Sequence, residues 1–188
     1  MKTVVLVPIA DVEFPSFTPG APFPNDGLGH FSKIDEGMPV HDGDESRIDF
    51  TTGFAGELYE LTPLPADFKT SMAFRIRASA ASDNAIGNLA FSLLVNDVSY
   101  AEGQAGWDFT ALAPDVYHEI YLTMTGMPTL VAGDRLQLSV AGFAAGDIVA
   151  LTAVQVEVDY DNRPPIIYSP VTPITTPWTP VPEPQEFQ

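Results

Sequence analysis

Apolar and polar residues alternate with a period of two through the middle of the chain, the spacing of a β-strand with one buried and one wet face. Phe74, Ile76 and Ala78 alternate with Arg75 and Arg77. Leu89, Phe91, Leu93 and Val95 alternate with Ala90, Ser92 and Leu94. Val116, His118, Ile120, Leu122 and Met124 then share one phase, with Tyr117, Glu119, Tyr121 and Thr123 on the other. Leu136, Leu138 and Val140 follow, and Val154, Val156, Val158 and Tyr160 close the series against Gln155, Glu157 and Asp159. Residues 47–51 and 57–61 are weaker runs of the same type, and residues 3–9 read as a strand near the N-terminus. No helical spacing of useful length interrupts them. Turn signals separate the runs, among them Gly133-Asp134, Gly146-Asp147 and the pair Asn96-Asp97, which fits a two-residue hairpin loop. About eight short strands spaced this way predict an all-β, antiparallel β-sandwich, jelly-roll-like in outline.

Proline placement divides the chain. Of 18 prolines, six lie in residues 1–40 and eight in residues 164–184. Proline lacks the amide donor that a sheet ladder needs, so the strands belong to the middle. The expected organisation is an N-terminal arm with a short strand over 1–41, a sandwich over 42–161, and a proline-rich C-terminal arm over 162–188. The C-terminal arm favours extended polyproline geometry, with a reach of up to about 80 Å at ~3.1 Å per residue. Both arms carry spaced apolar side chains that a solvated linker would not need. Val5, Val7, Phe14, Phe17, Ile166, Tyr168, Ile174 and Trp178 are the candidate partner-binding residues, with the N-terminal strand expected to extend a neighbour's sheet.

Charge narrows the partners. With 25 acidic against 8 basic residues, the net charge is -17. Phosphate backbones and anionic membranes need clustered Lys and Arg, so neither nucleic acid nor membrane is an expected partner. The apolar run at the N-terminus stops at Pro8, too soon for a signal segment or a membrane span. The chain has no cysteine, which removes disulfides and thiolate metal sites.

Candidate chemistry is sparse. The densest polar stretch, His41-Asp42-Gly43-Asp44-Glu45-Ser46, lacks the spaced ligands of a calcium loop and reads as a solvated acidic loop. His30, His41 and His118 form no zinc-type pair, and His118 lies on the apolar phase of its strand. No nucleophile elbow, phosphate loop or dinucleotide fingerprint occurs, so no catalytic residue, metal site or cofactor is assigned. Trp107, Tyr117 and Tyr121 are candidates for a glycan platform or a subunit interface, against the simpler account that they pack on the arms. Arg75 and Arg77, two apart on one face, are expected to pair with nearby carboxylates or, alternatively, to contact a neighbouring subunit.

The order of these segments resembles the jelly-roll virion structural proteins of tailed bacteriophages, of the head decoration (cement) or tail-associated adhesin type. The resemblance rests on Asp42-Gly-Asp-Glu-Ser-Arg-Ile-Asp, Leu61-Thr-Pro-Leu-Pro, Phe74-Arg-Ile-Arg-Ala, Leu93-Leu-Val-Asn-Asp, Leu136-Gln-Leu-Ser-Val and Val154-Gln-Val-Glu-Val-Asp-Tyr. It implies a virion component assembled in the host bacterial cytoplasm, commonly a homotrimer. Its implied partner is the major capsid protein or a neighbouring virion subunit. The expected function is a capsid cement protein held by its arms. The alternative is a tail-associated receptor- or carbohydrate-binding module.

Overall fold

Among the described residues, ten strands build two antiparallel sheets. A computed structural model of the chain describes residues 1–12, 28–35, 38, 44–49, 55–85, 88–143 and 147–163. The strands are β1 (Lys2–Leu6), β2 (Pro8–Asp11), β3 (Ser46–Asp49), β4 (Ala55–Leu61), β5 (Thr70–Ser82), β6 (Asn88–Val95), β7 (Val98–Asp108), β8 (His118–Met124), β9 (Leu136–Phe143) and β10 (Ile148–Asp161). One 3-10 turn, Phe31–Lys33, lies between β2 and β3. The first sheet runs β1-β10-β5-β8, with β3 also on β10; the second runs β2-β4-β9-β6-β7.

The period-two phases become the core. Phe74, Ile76 and Ala78 of β5, Leu89, Phe91 and Leu93 of β6, Leu136, Leu138 and Val140 of β9, and Val154, Val156 and Val158 of β10 are all buried between the sheets. Each fully buried side chain of this size contributes roughly 1.5–3 kcal/mol. Phe68 stacks on Tyr160 with ring centroids 4.8 Å apart and closes one end of the core.

Two strands exceed the sequence expectation. The N-terminal run is not one strand but two, because Pro8 cannot donate and the chain changes sheets there. At the crossing, Val7 N–H donates to the Thr62 hydroxyl at 3.2 Å, and Thr62 N–H donates to Val7 carbonyl at 2.9 Å. The second addition is β7, where glycines at 103 and 106 read as a loop. The ladder to β6 defines it instead, after a tight hairpin in which Val95 faces Val98. Asn96 and Asp97 both take positive φ (50° and 66°), the backbone that this hairpin loop needs.

The expected N-terminal arm also requires correction. β1 pairs with β10 of its own chain, Val5 opposite Glu157, and β2 pairs with β4. His30, Lys33 and Ile34 are buried, and Ile34 carbonyl accepts from Val154 N–H at 3.5 Å. Residues 1–12 and 28–35 therefore belong to the sandwich rather than to an arm. β10 ends at Asp161.

Candidate binding face

The outer face of the first sheet collects most of the charged side chains that alternate with the core. Thr3 and Val5 of β1, Gln155, Glu157 and Asp159 of β10, Arg75 and Arg77 of β5, and Glu119, Tyr121 and Thr123 of β8 all project from it. The registers place Arg75 between Glu157 and Thr123, and Arg77 between Gln155 and Tyr121.

Arg75 organises this face. Its Nη1 and Nη2 donate to the two oxygens of Asp159 at 2.7 and 2.8 Å, and its Nε donates to Glu157 at 3.2 Å. Thr3 hydroxyl donates to Asp159 at 2.6 Å. The Arg75 fork, followed by the Thr3 hydroxyl, holds the Asp159 carboxyl down to about 2. Gln155 is fixed at both ends: its Nε2 donates to Glu157 at 2.9 Å and its Oε1 accepts from Met38 N–H at 2.9 Å. Arg77 bridges Glu119 and, at 3.7 Å, Glu157. Long side chains are thus held in one arrangement before any ligand arrives, which reduces the ordering cost of binding. Beside them the Tyr121 ring is 54% exposed.

Such a face offers the exposed Tyr121 ring with Arg77 and Glu119 beside it, while Arg75, Glu157 and Asp159 already satisfy one another. That combination suits a ligand with many hydroxyls and an apolar ring face. Asp159, depressed and buried under Arg75, is ionised at neutral pH and accepts from Arg75 and Thr3.

The three aromatics of the sequence-derived platform go to three places. Trp107 lies on β7 opposite the buried Leu89 and packs against the core, so its ring faces inward. Its indole N–H reaches no acceptor among the described residues. Tyr117 precedes β8; it is half-buried and its hydroxyl donates to the Glu45 carboxylate. Burial, then that carboxylate, pushes its pKa up. Only Tyr121 stands on the open face. The expectation of a shared platform fails because Tyr117 lies outside the strand and Trp107 follows the inward phase of β6.

Of the candidate partner-binding residues, Val5 is 48% exposed and Val7 half-buried. Phe14, Phe17, Ile166, Tyr168, Ile174 and Trp178 lie outside the described residues. Of the acidic stretch before β3, His41, Asp42 and Gly43 lie outside the described residues, while Asp44 and Glu45 are half-buried, Ser46 is buried, and Glu45 accepts from Arg47 Nε at 2.8 Å. Among the described residues, no three metal-ligating side chains group together.

One buried polar cluster was not singled out by sequence. His30 sits between the Ser46 hydroxyl on Nδ1 and Glu57, 3.5 Å from Nε2. All three are buried, and Asp11 holds the turn in place by accepting from His30 and Phe31 N–H at 2.9 and 2.8 Å. Its role is to dock residues 28–35 between the sheets. Ser46 and Glu57 do fall on the inward phase of their strands, and that was the available signal.

No family model and no curated protein matches the chain. Among solved structures, it is similar to a family 35 carbohydrate-binding module from an environmental isolate, at 14% identity and TM-score 0.41 over 69% of this chain and 82% of that one. It is also similar to TmCBM61 in complex with β-1,4-galactotriose, at 13% identity and TM-score 0.26 over 65% and 74%. Dimeric latent PorU from Porphyromonas gingivalis is matched at 16% identity and TM-score 0.36 over 60% of this chain, which spans 10% of that chain. Each likeness concerns the sandwich alone and says nothing of what this chain binds.

Proposed function

We propose that the chain is a non-catalytic binding module that takes carbohydrate on the outer face of its first sheet. The carrying observation is Tyr121, an exposed ring set opposite Arg77 on a face where Arg75, Gln155, Glu157 and Asp159 already hold one another. Its ring would stack on a sugar face. Arg77 and Glu119 would meet hydroxyl groups alongside, and Thr123 would supply a neutral donor. The row of Tyr121, Arg77 and Thr123 beside one another suits an extended chain of sugars. Titration of the full chain with a panel of neutral and acidic polysaccharides tests the reading. Saturable binding that is lost in Tyr121→Ala supports it; binding to none of them, or binding indifferent to Tyr121→Ala, sinks it.

A second reading is the cement-type virion component, and one corner of the fold favours it. Asp67 accepts from Lys2 Nζ at 2.5 Å, from the Tyr160 hydroxyl at 3.2 Å and from Asn162 Nδ2 at 3.3 Å. The first strand therefore begins, and the proline-rich segment departs, at the same corner. A strap leaving there would tie one side of the module to a shell and keep the rest outward. Co-sedimentation with phage shells tests that arrangement: retention that depends on residues 164–188 supports it, and indifference removes it.

A further inference from the structure

We infer that β1 is a dimerisation edge, pairing antiparallel with β1 of a second copy of this chain across a two-fold axis. β1 is bonded to β10 on one side only, and no backbone hydrogen bond among the described residues reaches its other side. Alternate N–H and C=O groups of Lys2–Leu6 thus point outward with no partner among the described residues, a template for another strand.

The remaining edges are guarded. β2 starts at Pro8, is irregular between Pro8 and Ala10, and has the 3-10 turn drawn against it by Asp11. The far edges β7 and β8 lie against each other across the sandwich. β3 carries Arg47 and Asp49. β1 has no proline, no bulge and a single charge, Lys2, which Asp67 already neutralises.

Its sequence also suits itself. An axis through Val4 sets Thr3 opposite Val5 of the second copy, a β-branched pair, and places no like charges face to face. The carboxylates nearest the edge are occupied: Asp67 by Lys2, Asp159 by Thr3 and Arg75, and Glu157 by Arg75 and Gln155. A chain of net charge -17 can therefore approach a copy of itself along this edge without opposing bare carboxylates.

The pairing has a functional consequence. It joins the two first sheets into one continuous sheet and sets the two outer faces side by side, giving a bivalent surface for a polymeric ligand. That consequence rests on the carbohydrate reading; the pairing does not.

The test is sedimentation equilibrium of the full chain over a range of concentrations at low and high salt, together with amide hydrogen exchange at dilute and concentrated protein. The expected result is a shift from a 20.3 kDa monomer toward twice that mass. Salt should favour the shift, because it screens the repulsion between two acidic copies. The β1 amides that are open when dilute should gain protection as the dimer forms. Val5→Glu, at an exposed position, should raise the concentration needed for dimer by about tenfold while leaving the circular dichroism spectrum unchanged. A monomer at every concentration overturns the inference. So do a trimer, a dimer whose β1 amides exchange as before, or protection of β1 at monomeric mass. A dimer that binds no polysaccharide leaves the pairing standing and removes the carbohydrate reading; polysaccharide binding by a strict monomer does the reverse.

Discussion

Arg75 grips Asp159 at two points, with both carboxylate oxygens within 2.8 Å of guanidinium nitrogens. The pair ties β5 to the central strand β10, and Thr3 extends the same grip to β1. Because the Asp159 carboxyl is held down to about 2 from an ordinary value of 3.8, its contribution is complete above about pH 4 and is lost as pH falls toward 2. Asp159→Asn is expected to cost on the order of 1–2 kcal/mol at neutral pH and to flatten the acid limb of stability between those values. Urea unfolding at a series of pH values measures both. An unchanged acid slope would mean that other carboxylates dominate it.

Tyr121 and Trp107 should separate binding from folding. Tyr121→Ala removes a ring that is 54% exposed, so the melting temperature should hold while polysaccharide affinity falls about tenfold or more. Trp107→Ala empties a position packed on the core and should destabilise by about 3 kcal/mol, with binding retained in the folded fraction. Parallel calorimetric titration and thermal melts on both variants decide this. Equal effects on stability would contradict the inward placement of Trp107.

The core of the fold was legible because alternation is local. Phe74, Ile76, Leu89, Phe91, Leu138 and Val156 announce their phase within a few neighbours, and each is buried as that phase predicts. β7 was not legible, since a strand poor in apolar residues is defined by the ladder it joins, here β6. The binding face was half visible. Arg75 and Arg77 could be read as paired, but their partners Glu157, Asp159 and Glu119 lie 82, 84 and 42 positions away. Only the register decides which carboxylate meets which guanidinium. The grouping of Trp107 with Tyr121 failed for the same reason: nearness in sequence does not fix the sheet to which a residue belongs.

Tyr117 and Glu45 join the segment before β8 to the segment before β3. Burial and the neighbouring carboxylate raise the Tyr117 pKa, so this contact stabilises fully below pH 10 and is lost as pH rises through the higher folded value. Tyr117→Phe is expected to cost about 1.5–3 kcal/mol at neutral pH, the loss of a hydrogen bond to a charged group. It should also reduce the fall in stability above pH 10. Buried Tyr59, likewise raised, keeps part of that fall. Unfolding followed from neutral to alkaline pH, with phenolate absorbance as a second signal, tests the assignment. A variant as stable as the parent would show that the Tyr117 hydroxyl adds nothing to the hold on Glu45.

Removing residues 164–188 should leave the sandwich intact. The last strand ends at Asp161, and the closing contacts of Asn162 and Tyr160 with Asp67 are made before the removed segment begins. Every described core residue lies between Leu6 and Tyr160. The shortened chain keeps all of these described contacts and is therefore expected to unfold cooperatively within about 0.5 kcal/mol of the full chain. Polysaccharide binding should persist, because Tyr121, Arg77 and Thr123 are untouched. Attachment to a larger particle is the property that should be lost if the proline-rich segment is a strap. Denaturant unfolding and co-sedimentation on the same preparation read the two properties apart. A shortened chain that fails to fold would instead show that residues 164–188 complete the core.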